Sequence, residues 1–282
     1  MLGQNADLLK EMIQELTKSS LVVAAAGNKY PNGSSRDNSN NLDVIFVGNI
    51  NQHGIVDHSS DESLNISIVA PAGSSKQMTY NTNGYDPYWG GTSGATPLVA
   101  GALADVTSVL GEITFQEAKR LLEKTALPTS NSLQKPQRNG PGMLNTFKLI
   151  KVALRLKEKG WPENRAALLN DNSIFDFMEH ASQLRNEAEE LLKSDDCNKK
   201  KQGLKNLRRS HLLSSDQSTA NILAGLYEKL GYVQNAQFYK NFNREELKSF
   251  MEQSSSPHPS SSFQLDFYDK KSIERAKTQL GL

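Results

Sequence analysis

The run Leu21-Val22-Val23-Ala24-Ala25-Ala26, closed by Gly27-Asn28, is the feature that most narrows what this chain can fold into. An unbroken apolar run with no polar alternation reads as a strand buried on both faces, which is the pattern of a parallel sheet covered by helices. Ligands in such sheets gather at the carboxyl ends of strands, where Gly27 and Asn28 fall. Asn28 by itself has two readings: a polar group aimed at a ligand, or the second residue of a Gly-Asn turn that tolerates a left-handed backbone. Upstream, residues 8–18 form an amphipathic helical pattern, and Asp43-Val44-Ile45-Phe46-Val47-Gly48 is a further β-rich run.

The second constraining string is Gly91-Thr92-Ser93-Gly94-Ala95-Thr96-Pro97-Leu98-Val99-Ala100-Gly101, which packs small residues around one hydroxyl at the start of a predicted helix. A hydroxyl that attacks a carbonyl must sit where a substrate backbone can approach and where positive dipole faces the developing oxyanion. A glycine-flanked helix N-terminus supplies both. Ser93 is therefore the candidate nucleophile. The segment to residue 110 is rich in Ala, Val and Leu and suits a helix buried in the domain centre, with Pro97 in or near its first turn, where backbone N–H groups lack intrahelical partners. Thr114-Phe115-Gln116-Glu117 reads as a capping box opening a helix over residues 115–125. Asp57-His58-Ser59-Ser60-Asp61 contains acid and base side chains, but its place in a polar loop between two predicted strands reads as a solvated turn.

These strings resemble the subtilisin-like serine peptidases (subtilases). The nucleophile segment of that family reads Gly-Thr-Ser-x-Ala-x-Pro-x-Val-Ala-Gly, and every fixed position is present around Ser93. Its Val-x-Ala-Ala-Gly-Asn string, matched at residues 23–28, carries the asparagine whose amide donates to the oxyanion. Ile66-Ser67-Ile68-Val69-Ala70-Pro71-Ala72-Gly73 resembles the family strand ending in Ala-Pro-Gly, with Ala72 inserted. Asn139-Gly140-Pro141-Gly142-Met143-Leu144-Asn145 resembles the turn that introduces the last helix of the catalytic domain.

The resemblance covers residues 1–156 and implies an α/β fold, part of a subtilisin-like parallel sheet flanked by helices. It implies serine endopeptidase activity on a polypeptide substrate; no cofactor is expected and no metal-ligating residue is assigned. Ser93 and Asn28 are then the catalytic residues, and Ala25, Ala26, Gly27 and Thr92 line the substrate cleft. The family's Asp-Ser/Thr-Gly and His-Gly-Thr-His motifs, which precede the serine, do not occur in the 282 residues. The aspartate and histidine of the triad are accordingly expected from an upstream segment or a second chain, and these residues alone are expected to be nearly inert. The alternative is a catalytically inactive remnant that serves as a protein-interaction module.

Composition bounds the rest. With 37% hydrophobic and 22% charged residues the chain suits one substantial domain plus a smaller one, and a net charge of +1 makes no case for nucleic acid. The single cysteine, Cys197, leaves no internal disulfide. No apolar run reaches the length of a membrane span, and the N-terminus lacks the pattern of a signal peptide. The family implies a secreted or periplasmic setting for a full-length protein.

Domain organisation reads as 1–160, the C-terminal part of the peptidase domain; 161–252, an appended all-α region; and 253–282, a Ser/Pro linker with a short terminal helix. In the helical region Phe175, Phe177, Met178, Ala181, Leu184, Ala188, Leu191 and Leu192 recur at helical steps and predict one amphipathic helix. Ala224, Gly225, Tyr227, Gly231 and Ala236 resemble the spacing of a tetratricopeptide repeat, with a generic helical bundle as the other reading. Either way the region offers interaction surface for a protein partner. Lys199, Lys200, Lys201, Lys205, Arg208 and Arg209 read as a solvated helix face.

Overall fold

The computed structural model describes residues 2–28, 42–51, 54–57, 60–61, 66–72, 77–81, 84–129 and 140–240. His53, His58, Ser59, Gly73, Asn139 and His258 lie outside the described residues, as do the Ser/Pro stretch and the terminal helix expected after it.

The fold is α/β. Helix α1 (Leu2–Leu16) leads into strand β1 (Val22–Ala25), followed by β2 (Val44–Ile50) and β3 (Ile66–Pro71). The three strands are parallel in the order β1-β2-β3, with Val22 opposite Val44 and Ala25 opposite Val47. A hairpin of β4 (Gln77–Asn81) and β5 (Gly84–Trp89) precedes helix α2 (Gly91–Leu110). Helix α3 (Phe115–Thr125) begins at the expected capping box: Thr114 Oγ1 accepts from the Glu117 N–H at 3.2 Å and Glu117 Oε2 accepts from the Thr114 N–H at 2.7 Å. Asn145 caps helix α4 (Thr146–Glu158) by accepting the Lys148 N–H at 3.1 Å.

One apolar core joins these layers. Ile45, Val47 and Ile68 from the sheet meet Val99 and Val106 of α2, Leu121 of α3, and Leu149 and Val152 of α4, all fully buried. The expectation of a doubly buried β1 is not met. Its four residues are each half-exposed, whereas β2 and β3 are almost wholly buried, because β1 is the sheet edge and its pattern reports two apolar faces without saying what covers them. Helix α2 departs in the same way. It matches the predicted span but is buried along one side only, leaving Ser93, Pro97, Leu98, Ala100, Gly101 and Ala104 exposed. At 20 residues and a mean hydropathy of 1.2 it also reaches the length and apolarity of a membrane span, contrary to the sequence reading, although its other side packs on the sheet and on α4. Pro97 lies in its second turn rather than its first, because the helix opens at Gly91; its missing N–H removes the donor for the Ser93 carbonyl four residues back.

The same core continues through Trp161, Leu169, Ile174, Phe177 and Leu213. Short helices α5 (Arg165–Asn170) and α6 (Asn172–Phe175) precede α7 (Met178–Lys193). The single helix expected through Phe175, Phe177 and Met178 is thus broken. The Asp171 and Asp176 side chains accept the N–H groups of Ser173 and Met178, each at 2.9 Å, which starts a new helix twice within eight residues. Met178 is 55% exposed and off the core face. Cations from the layer beneath hold this segment. Arg120 donates to the Leu169 carbonyl and Asn170 Oδ1, Lys124 to Asn172 Oδ1, and Arg155 to the carbonyls of Ser173, Ile174 and Asp176 while stacking 3.8 Å above the Phe177 ring.

Helices α8 (Cys197–Ser214), α9 (Gln217–Lys229) and α10 (Val233–Lys240) complete the described chain. A second core of Ala188, Leu207, Leu223, Ala224, Tyr227, Ala236 and Tyr239 joins α7 to α10. Gly225 is no close-approach position, since a β-carbon there meets nothing within 4 Å. His211 is buried against the Tyr239 ring and donates from Nδ1 to the Asp216 carbonyl at 3.3 Å. Burial pushes its pKa down to about 4, and that hydrogen bond only partly opposes the shift.

Candidate active site

The start of α2 is built without a capping side chain of its own. Gly90 precedes it in extended conformation, and Gly91 opens it with φ 67°. The cap comes from 64 residues away, where β1 ends. Asn28 Oδ1 accepts the Thr92 N–H at 2.9 Å and the Thr92 hydroxyl at 3.1 Å, satisfying a first-turn N–H that the helix itself leaves open. Both partners are donors, so the amide oxygen must face them. Nδ2 is left as the unspent end of the amide, beside Gly91, and it has no hydrogen bond among the described residues. A β-carbon at Gly91 would come within 2.9 Å of Asn28 Oδ1, so only glycine lets the amide lie across the helix start.

Thr92 is fully buried and also ties the strand end, its Oγ1 accepting the Gly27 N–H at 3.3 Å. Gly27 itself has φ 113°, and a β-carbon there would overlap Asp61 Oδ2. The Asp61 N–H in turn donates to the Gly27 carbonyl at 2.9 Å. Asp57, Ser60 and Asp61 are buried, so the expected solvated turn is in fact folded under the strand ends. Non-local bonds do this. Besides Asp61 to Gly27, the Asp57 N–H donates to the Asn49 carbonyl at 2.9 Å, and Ser60 Oγ accepts the Asn49 N–H at 3.1 Å. Asn49, unremarked in the sequence reading, is fully buried. Its Oδ1 accepts the Ala72 N–H at 3.2 Å, and its Nδ2 has no partner among the described residues.

Ser93 sits one residue beyond Thr92 and is exposed, with Asn28 exposed beside the same helix start. Its side chain makes no hydrogen bond among the described residues, and neither does its backbone N–H. Of the predicted cleft residues, Ala25 ends β1 half-exposed, while Ala26 packs its methyl group with Ile50, Val56, Ile66 and Val69. The histidines among the described residues, His180 and His211, lie on α7 and α8. Among the described residues no group of three His, Cys, Asp or Glu side chains is placed to hold a metal ion.

A family model for the subtilase family, Peptidase S8, matches residues 3–148. This chain belongs to the subtilase family. That family is one of serine peptidases, and its match spans β1, the Asn28 turn, the Ser93 helix start and the first turn of α4. The chain is 34% identical over 141 residues to subtilisin amylosacchariticus of Bacillus subtilis subsp. amylosacchariticus and, to the same extent, to subtilisin J of Geobacillus stearothermophilus. Each match covers 49% of this chain and 35% of the relative, so the chain spans about a third of the length of these subtilisins. Solved structures similar to it include the self-cleaved protease domain of PatA, at 25% identity and TM-score 0.38 over 53% of this chain and 54% of that one. The prenylagaramide maturation protease PagA is similar at 24% identity and TM-score 0.39, over 51% and 55%.

Proposed function

We propose that this chain supplies the nucleophile and oxyanion side of a serine endopeptidase site. Ser93 Oγ attacks the scissile carbonyl carbon and passes its proton to an imidazole base. The carbonyl oxygen, now negative, is held by the Asn28 Nδ2 amide and the Ser93 N–H at the positive end of α2. Collapse of that intermediate breaks the C–N bond as the imidazolium returns its proton to the leaving amine, and water then releases the acyl group by the same steps in reverse. Ala25, Ala26 and Gly27 offer backbone to the extended substrate. The observation that carries this reading is the Thr92 clamp on Asn28 Oδ1, which spends the acceptor end of the amide on the helix and leaves its donor end without a partner among the described residues, at the helix start that also carries Ser93.

We assign the imidazole and its orienting carboxylate to polypeptide outside these 282 residues, because the family's Asp-Ser/Thr-Gly and His-Gly-Thr-His motifs do not occur among them. Without them little turnover is expected, because loss of the base in such a site costs on the order of 10⁶ in rate. The test is covalent labelling of Ser93 by a fluorophosphonate, read by intact mass, on the chain combined with the base-carrying part of a subtilase domain. Labelling that disappears in Ser93→Ala and slows about 10²- to 10³-fold in Asn28→Ala supports the proposal. A combined domain whose Ser93 stays unlabelled removes it and leaves the inactive interaction module.

A further inference from the structure

The last described helix, α10, comes back to the sheet. The edge of its Phe238 ring stands 3.5 Å from the place a β-carbon would take on Gly54. Gly54 has φ 74° and belongs to the chain between β2 and β3, so an aromatic ring of the helical region rests on backbone that runs under the strand ends. The ring is itself held in place. It meets Tyr239 edge-on at 5.1 Å, Tyr239 stacks on Tyr227 at 5.6 Å and meets His211 at 5.4 Å, and Lys240 pairs with Glu228 of α9. At Gly54 the β2–β3 connection is tied only locally, its N–H donating to the Asn51 carbonyl at 3.1 Å. From there it reaches the candidate site by two routes. Val56, 5% exposed, packs in the cluster that holds Ala26. Further along, the Asp61 N–H holds the Gly27 carbonyl at 2.9 Å. Ala26 and Gly27 are the residues that deliver Asn28 to the start of α2.

We propose that Phe238 is a positioning residue for the Asn28 amide, acting through Gly54 and the β2–β3 connection, so that the helical region sets the geometry of the oxyanion donor. This rests on the peptidase reading above. A donor aimed at developing charge has to be held to within about 0.5 Å. Strand β1 cannot do that alone, because it is half-exposed at the sheet edge and ends in Gly27, whose backbone is the most permissive in the chain. Support comes from beneath, at Ala26 through Val56 and at Gly27 through Asp61. Gly54 has no side chain with which to brace that support, and the Phe238 ring supplies the missing bulk from another helix. Removing the ring lets the segment at Gly54 relax into the vacated space and loosens Val56 and Asp61 with it. Ser93 is held separately, by the packing of α2 on the sheet and on α4. Phe238 therefore acts on the oxyanion donor and not on the nucleophile.

The test follows amide hydrogen exchange in the full chain at Asp61, whose N–H is bonded to Gly27, and at Thr92, whose N–H is bonded to Asn28 Oδ1. Val69, whose N–H donates to the Gly142 carbonyl at 3.0 Å, is the reference for the body as a whole. Phe238→Ala is expected to speed exchange at Asp61 and Thr92 about 10-fold and to leave Val69 unchanged. Phe238→Leu, which keeps apolar bulk against Gly54, restores most of the protection, and Val233→Ala, a change on the same helix at a residue 70% exposed, alters none of the three. In the chain combined with the base-carrying part of a subtilase domain, Phe238→Ala slows fluorophosphonate labelling of Ser93 about 5-fold and adds nothing once Asn28 is alanine. Unchanged rates at Asp61 and Thr92 overturn the inference. Equal acceleration at Val69 also overturns it, because Phe238 is then a plain stability contact, and so does a full 5-fold slowing in the Asn28→Ala background. Faster Asp61 and Thr92 with Ser93 unlabelled in the unsubstituted chain keep the coupling from α10 to Asn28 and remove the peptidase reading; labelled Ser93 with unchanged amides does the reverse.

Discussion

Strands β1, of valine and alanine, and β3, of isoleucine, valine and alanine with Ser67 and Pro71, are both mainly aliphatic, yet they stand in different energetic positions. Ile68, Val69 and Ala70 are fully buried between helices, under an edge closed by Gly142 and Leu144. Val22, Val23, Ala24 and Ala25 are half-exposed beside an edge that no described residue covers. Apolar composition tells a strand that it belongs in a sheet, while the stabilisation it returns depends on what neighbours arrive later. The closed side carries the fold; the open side carries the site.

Mutations measure that asymmetry directly. Ile68→Ala should lower unfolding free energy by about 3–4 kcal/mol in urea, against less than about 1 kcal/mol for Val23→Ala. Equal losses would mean that β1 is covered as well as β3. Acid should act on the helical region through His211. Its folded pKa, about 4, lies below the ordinary 6.5, so its contribution is complete above pH 6.5 and is lost as pH falls toward 4. That loss amounts to roughly 3 kcal/mol, a slope that His211→Asn should remove from urea midpoints taken between pH 7 and pH 4. Gly27→Ala tests the open side where it is not soft. Its left-handed φ and the overlap with Asp61 predict a loss of roughly 2–3 kcal/mol together with displacement of the Asn28 amide resonance. Thr114→Ala removes one capping contact and should cost about 1 kcal/mol. Leu8→Ser on the chain alone should change the midpoint within about 0.5 kcal/mol, because that side chain is 57% exposed.

Local chemistry made much of this legible in the sequence. The capping box of α3 is complete within four residues, and α3 spans the residues expected. Strands β2 and β3 and the opening of α2 at the Gly-Thr-Ser string also follow from short stretches. Features decided across the chain were not legible. Asp57 and Asp61 look like a solvated turn until Asp61 is seen bonding Gly27, 34 residues earlier. The break between Phe175 and Met178 depends on two aspartates that outcompete an apolar period continuing straight through them. The use of Asn28 as a cap for α2 has no sequence signal at all, because the helix and its capping residue are separated by the whole of β2 and β3.

The grip of Arg155 on the carbonyls of Ser173, Ile174 and Asp176 beside Phe177 has a mechanical meaning. The helices after Trp161 are mounted on α4, which itself packs against α2, the helix whose first turn holds Ser93. Through Leu213 and Arg155 they join the core that also holds α2, so their bearing on Ser93 is set by side-chain packing rather than by the reach of a linker.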